Sequence, residues 1–344
     1  MAELGGSPVG STVTIHDAFG SGTVLTIVVP TYKRPDLLVQ CLRSLAAQTF
    51  TGFVVLVCDN SPEREAQQVV ESLGDERFRY LPRNENLGML RNVLAGFMEA
   101  STEFVMEVDD DDLLYPECVE ELLAPFASHP ALTIVFGDLV VIDDDLQVMP
   151  LQRRVKYLPS LDFLAEGVHQ PFTSLAAHGY VFLMASIIRR DCIDWAGVPD
   201  SAATAYDRYL TLAASRGDAA GYFVRKAVMA YRVHERSDGL RFTTQSLRGA
   251  LDVLTREVPR TAPGSRKWVE REVARTRLQL LRALRATNDR QGVRDQARSL
   301  MAPPGIRALA YLALRQYLPQ QLRLARSVTR DRLRNAPLGR TPGR

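Results

Sequence analysis

Phe104-Val105-Met106-Glu107-Val108-Asp109-Asp110-Asp111-Asp112 is the stretch that decides the fold: an apolar run of strand character that stops at four adjacent carboxylates. Like charges crowded at one strand end repel each other, so either a cation sits among them or some of them hold protons. Side chains alternate along a strand, which predicts Asp109 and Asp111 on one side and Asp110 and Asp112 on the other. Two carboxylates paired in this way form an oxygen claw suited to Mg²⁺ or Mn²⁺. A solvated acidic turn is the plainer alternative at this point.

Toward the N-terminus the same pattern repeats. Val24–Val29 is β-branched and nearly continuous, as in a strand buried on both faces, and it stops at Pro30-Thr31-Tyr32. A helix follows, with Pro35 in its first turn and Leu37, Leu38, Cys41, Leu42 and Leu45 along one face. Phe53–Cys58 is a second buried strand, ending at Asp59-Asn60-Ser61-Pro62, with a polar helix expected from about Pro62 to Leu73. Phe78–Leu81 is a short third strand, and Asn86-Leu87-Gly88 opens a helix carrying Leu90, Val93, Leu94, Phe97 and Met98. Alternating strands and helices predict a mostly parallel sheet covered by helices on both faces. Ligands of such sheets bind beyond the carboxyl ends of the strands, where Pro30–Tyr32, Asp59–Ser61 and Asp109–Asp112 would all meet. No G-x-G-x-x-G follows the first strand and no G-x-x-x-x-G-K-[ST] occurs. These absences argue against a dinucleotide oxidoreductase and a P-loop ATPase.

Three of these segments resemble family 2 glycosyltransferases of the GT-A fold: Thr26–Phe50 (TIVVPTYKRPDLLVQCLRSLAAQTF), Asn84–Gly96 (NENLGMLRNVLAG) and Glu107–Pro116 (EVDDDDLLYP). The strand ending in Asp59 is similar too, and the likeness extends over about residues 24–238. It implies the GT-A α/β fold over that span, a mostly parallel sheet flanked by helices, and the sequence beyond it reads as a C-terminal α-helical region. It also implies an inverting transfer of a sugar from a nucleotide-diphosphate sugar, a UDP-sugar by preference, with Mn²⁺ or Mg²⁺ as cofactor. By the same resemblance Pro30, Thr31, Tyr32, Arg34, Asn86 and Arg91 would line the donor pocket. Asp59 would accept a hydrogen bond from the base, although an Asp there also suits a helix N-cap. Asp109 and Asp111 would be the two aspartates of the D-x-D motif, with Asp109 approaching the ribose and both serving the metal. Asp110 is a further donor-side candidate, and Asp112 could cap the following turn.

Later segments extend the likeness and depart from it. Leu132–Val141 reads as a strand with Asp143-Asp144-Asp145 as a hairpin turn. Gln152–His178 shows no clean period and is expected to be a mobile acceptor-side loop, and Tyr180–Arg190 is expected to be a strand. Trp195–Asp200 stands where the family has a Gly-Gly-Phe-Asp-like turn. In Tyr206-Asp207 a Tyr replaces the family's Glu, while Asp207 keeps its Asp and would be the general base. Tyr231-Arg232-Val233-His234-x-x-Ser237, after a last strand at Ala227–Val233, resembles the family's terminal motif. It places His234 near the metal and diphosphate.

The 344 residues are 46% hydrophobic with a formal net charge of +2, ample for one large domain or two smaller ones. Residues 1–240 hold 19 Lys/Arg against 33 Asp/Glu, and residues 241–344 hold 23 against 7. The chain therefore divides near Gly239. The expected parts are a flexible N-terminus (1–22), a catalytic domain (23–240, with a nucleotide-binding half to 115 and an acceptor half from 116), an arginine-rich helical region (241–335) and a frayed tail (336–344). Helices are expected at Thr243–Glu257, Ser265–Thr287, Asp289–Met301 and Ile306–Asn335. The basic helices could pack on the body, lie on an anionic membrane surface or self-associate. No nucleic-acid motif accompanies the charge, so no nucleic-acid partner is expected.

Four cysteines without a C-x-x-C pair suit a reduced, cytoplasmic protein, with a peripheral position at the inner membrane face as an extension of that expectation. The N-terminus lacks a basic-then-apolar signal pattern, and no apolar run is long enough to span a membrane. Arginine dominance over lysine points to a bacterial source. The acceptor stays open between a glycan, a lipid-linked sugar and a small molecule. A nucleotidyltransferase of related fold would carry a Gly-rich phosphate loop where Pro30-Thr31-Tyr32 stands. A non-catalytic membrane- or partner-binding scaffold would have no use for the full set of Asp109, Asp111 and Asp207.

Overall fold

The computed structural model describes residues 15–20, 22–150, 158–233 and 244–301. A short helix, α1 (Ile15–Phe19), precedes four strands: β1 (Leu25–Thr31), β2 (Phe53–Asp59), β3 (Phe78–Pro82) and β4 (Phe104–Glu107). These run parallel in the order β3-β2-β1-β4, as the apolar runs predict. Leu25, Ile27, Val28, Val55, Val57 and Phe104 are fully buried, because helices connect successive strands and cover both faces. Helix α2 (Pro35–Ala46) takes Pro in its first turn and buries Leu38, Cys41, Leu42 and Leu45, one face at helical spacing. Helix α3 (Gln67–Leu73) starts later than expected. The Asp59 carboxylate accepts from Ser61 N and Ala66 N, and Arg64 has φ 58°, so residues 62–66 wind as a turn. Helix α4 (Met89–Glu99) lies so close on the sheet that a Cβ on Gly96 would stand 2.6 Å from Val28 Cγ1 and 2.8 Å from Cys58 Sγ.

The second half adds β5 (Leu113–Leu114), α5 (Cys118–Ser128), β6 (Leu132–Ile142), β7 (Gly167–His169), α6 (Thr173–His178), β8 (Ser186–Arg189), α7 (Tyr206–Ala214) and β9 (Ala220–Arg232). The full sheet order is β3-β2-β1-β4-β8-β6-β9-β5, with β7 on β9. Strand β8 enters antiparallel between β4 and β6, which makes the sheet mixed. Asp143 forms the expected hairpin turn, its Oδ1 accepting from Asp145 N and Gln147 N. The strand expected at Tyr180–Arg190 is shorter, because Leu183–Ala185 winds as a 3₁₀ turn before Ser186 joins the sheet. The described part of Gln152–His178 is an ordered segment rather than a mobile loop. It supplies β7 and α6, and Phe172, Ala176 and Ala177 are buried in the core.

The C-terminal helices are α8 (Thr244–Glu257), α9 (Pro263–Ala286) and α10 (Arg290–Met301), close to the expected bounds. The chain forms two compact units, Met1–Thr276 and Arg277–Arg344. In the first, α8 packs on α7 and on the 3₁₀ segment Asp200–Ala205, so tightly that a Cβ on Gly249 would stand 2.8 Å from Ala202 O. Buried Glu257 takes both Nε and Nη2 of Arg216, at 3.0 and 2.7 Å, and Glu272 lies 3.6 Å from Arg208. In the second, Asp289 Oδ1 accepts from Gly292 N and caps α10. No described helix is long and apolar enough to cross a membrane. The expected Ile306–Asn335 helix, His234 and the division near Gly239 lie outside the described residues.

Candidate active site

Strand β4 ends at Glu107, and the acidic run is a turn closed by Asp112 N donating to Asp109 O at 3.1 Å. Strand alternation therefore does not govern it, which corrects the expected two-and-two split of the carboxylates. The curl brings Asp109, Asp111 and Asp112 together, with one carboxylate oxygen of each within 4.8 Å of the others. Asp110 turns away to Arg34, whose Nη2 is 2.6 Å from Asp110 Oδ1 while its Nη1 donates to Asp111 Oδ2 at 2.9 Å. Asp112 was expected only as a cap. It is fully buried, its Oδ1 accepts from Arg232 N at 2.8 Å, and its Oδ2 has no hydrogen-bond partner among the described residues. A buried carboxylate oxygen without a donor is costly unless a cation or proton meets it. One carboxylate oxygen from each of Asp109, Asp111 and Asp112, converging there, forms a donor set that fits a hard divalent ion.

The electrostatics agree with that crowding. Desolvation, with the charges of Asp111 and Asp110, pushes Asp109 up to about 7. Burial raises Asp110 to about 6 against the pull of Arg34. Burial and the charges of Asp109 and Asp111 hold Asp112 well above the ordinary carboxylate range. Asp207 stands in the first turn of α7, solvent-accessible but walled by protein. This partial desolvation raises its carboxyl, with Arg208 opposing, and its charge reaches Asp109. Tyr231, which sequence reasoning quoted but assigned no role, borders the whole group. Burial first, then the charges of Asp112, Asp109, Asp111 and Asp207, raise its phenol. Its signal was the apolar run into Tyr231-Arg232, which continues β9 to the cleft.

The donor-side candidates gather at the ends of β1, β2 and the start of α4. Thr31 is buried, Tyr32 is exposed, and Pro30 lies between these extremes. Lys33 N donates to Ser61 Oγ, which ties the loop after β1 to the loop after β2. Asp59 is fully buried, and its carboxylate already accepts from Ser61 N, Ala66 N and, at 2.9 Å, Tyr80 Oη. Asn86 Oδ1 accepts from Asn60 Nδ2 at 2.7 Å and from Gly88 N, while Asn60 Oδ1 accepts from Leu87 N. These bonds fix the loop that opens α4. Arg91 does not face the acidic turn. It pairs with Asp200 at 2.9 Å beside a shallow depression lined by Leu87, Gly88, Met89 and Ala203, both partners being mostly exposed.

Residues 26–190 match the profile of glycosyl transferase family 2. The chain carries a family 2 glycosyltransferase domain. A GalNAc(5)-diNAcBac-PP-undecaprenol beta-1,3-glucosyltransferase of Campylobacter jejuni is 31% identical over 120 residues, 34% of this chain and 38% of that protein. The chain thus spans well under half the length of that relative. Among solved structures, S. aureus TarS 1-349 in complex with UDP-GlcNAc superposes with a TM-score of 0.60 at 16% identity, over 74% of this chain and 71% of that one. The mannosyltransferase PcManGT from Pyrobaculum calidifontis, in complex with GDP-Man and Mn²⁺, superposes with a TM-score of 0.54 at 16% identity, over 86% and 79%. The mixed, mostly parallel sheet with its flanking helices is the GT-A fold that the family 2 resemblance implies.

Proposed function

We propose that this protein transfers a sugar from a nucleotide-diphosphate sugar, by preference a UDP-sugar, to an acceptor hydroxyl or amine. One observation carries the reading: at the carboxyl ends of β1 and β4, three carboxylates converge within 4.8 Å beside an accessible Asp207. Asp109, Asp111 and Asp112 would hold Mn²⁺ or Mg²⁺. A divalent ion bound there neutralises the charge that grows on the leaving diphosphate. Pro30, Thr31 and Tyr32 line the nucleotide pocket, and Asp59 and Asn86 keep the loops that shape it. Arg34 holds Asp110 and Asp111 in place and offers a cation toward the diphosphate. Arg91 reaches the donor by leaving Asp200, an exposed pairing that solvent already weakens. Asp207 takes the acceptor proton as the new glycosidic bond forms, and its raised pKa brings it nearer the working pH.

The UDP-GlcNAc complex of the structural neighbour supports the donor class, and the undecaprenol-linked substrate in the Campylobacter relative's name supports a lipid-linked glycan among the acceptors. The test is UDP-sugar turnover with and without Mn²⁺. The wild-type protein should need the ion, and Asp111→Ala should abolish the response to it. Asp207→Asn should bind donor normally and lose about 10²- to 10⁴-fold in rate. Full metal-dependent turnover by Asp111→Ala would remove the metal assignment, and wild-type transfer by Asp207→Asn would remove the base.

A further inference from the structure

Tyr206 stands where the family pattern has a Glu, directly before Asp207. In the structure its Oη donates to Glu107 Oε1 at 2.5 Å, with Tyr206 only 7% and Glu107 only 1% exposed. Glu107 is the last residue of β4, two positions before Asp109. A Glu at 206 would set two buried carboxylates against each other, whereas a phenol donates.

The start of α7 needs such a tie. Its N-cap is Ala205, which has no side-chain oxygen, and no side-chain cap bond forms there. The preceding segment is a 3₁₀ stretch in which Ala203 sits at φ 45°, ψ −116°, a poor lead-in to a helix. The first turn of a helix has unpaired N–H groups and frays when nothing holds it. Asp207 lies in that first turn.

We propose that Tyr206 is a positioning residue: its bond to Glu107 ties the start of α7 to the end of β4 and sets Asp207 against the Asp109–Asp112 turn. The inference rests on the transferase reading, in which Asp207 is the base. A base displaced by about 1 Å can lose on the order of 10²-fold in rate. Tyr206→Phe keeps the ring and removes only the hydroxyl. It should lower kcat at least tenfold while leaving UDP–Mn²⁺ affinity and donor KM within twofold, a split that general destabilisation does not produce. Glu107→Met should lose a similar factor, and the double variant should be no slower than the slower single one, because both remove the same bond. Unchanged kcat in Tyr206→Phe with only a lower Tm, or losses that multiply in the double variant, would overturn the proposal. Should Glu107→Met not fold, the Tyr206→Phe split decides alone. Wild-type protein that turns over no nucleotide sugar would overturn the transferase reading and this inference with it. An active wild type with an equally active Tyr206→Phe overturns the positioning role only.

Discussion

Replacing Arg34 by Met isolates the ion pair that steadies the acidic turn. The Met stem keeps much of the packing, and the guanidinium, 27% exposed, is lost from Asp110 and Asp111. Asp110 is fully buried, so a bare charge there is untenable, and the variant escapes by protonating it. The loss can be worked from the pKa of about 6. At about pH 7.5 the protonated form of wild-type Asp110 lies roughly 2 kcal/mol above the ionised form, at 1.36 kcal/mol per pH unit. That is the stabilisation forfeited when the variant adopts the protonated form. It corresponds to a drop of roughly 4–8 °C in Tm for a unit of this size. Below about pH 6 the wild-type Asp110 is itself protonated, so its share of the difference should vanish and only the lost contact to Asp111 should remain. The assay is scanning calorimetry of both proteins in chelator at about pH 5.5 and pH 7.5. An equal Tm difference at both pH values, or none at the higher one, would refute the assignment of Arg34 as the partner of an ionised Asp110.

The other predictions concern the same cluster and its supports. Asp109 and Asp110 titrate in the folded chain at about 7 and about 6, above their unfolded values, so between about pH 4 and 7 the folded state holds protons that the unfolded state releases. Without divalent ions, Tm should fall as pH rises through that window, and Mn²⁺ should flatten the slope; a Tm that rises through the window in chelator would contradict this. Gly96→Ala should destabilise by about 1–3 kcal/mol, because its Cβ would press on Val28 and Cys58 between α4 and the sheet. Urea unfolding measures it, and a neutral result would show that α4 can shift. Glu257→Ala leaves Arg216 without its bidentate partner and should cost about 3 kcal/mol, read in the same way. It should also slow transfer, since Arg216 follows the helix that carries Asp207.

The parallel half of the fold was legible because β1, β2 and β4 are nearly continuous apolar runs, each stopped by a polar cluster. Such runs have little alternative to burial on both faces of a sheet. What escaped were features set by single hydrogen bonds. The turn bond from Asp112 N to Asp109 O cancels strand alternation and recruits Asp112, and no periodicity reports it. The caps made by Asp59 delay α3 in the same manner. Strand β9 was traced only from Ala227 because Arg225 and Lys226 interrupt its apolar pattern; both are exposed in a strand that begins at Ala220. The pairing of Tyr206 with Glu107 joins residues 99 positions apart, and the sequence showed only the substitution of Glu by Tyr.

The measurement that tests the central claim most directly is calorimetric titration of the full chain with UDP, GDP and dTDP, each with and without Mn²⁺. A donor site built on Asp109, Asp111 and Asp112 predicts that UDP binds and that Mn²⁺ tightens it, with the enhancement lost in Asp111→Ala. Binding of no nucleotide under either condition, or Mn²⁺-independent UDP binding that Asp111→Ala leaves unchanged, would contradict it.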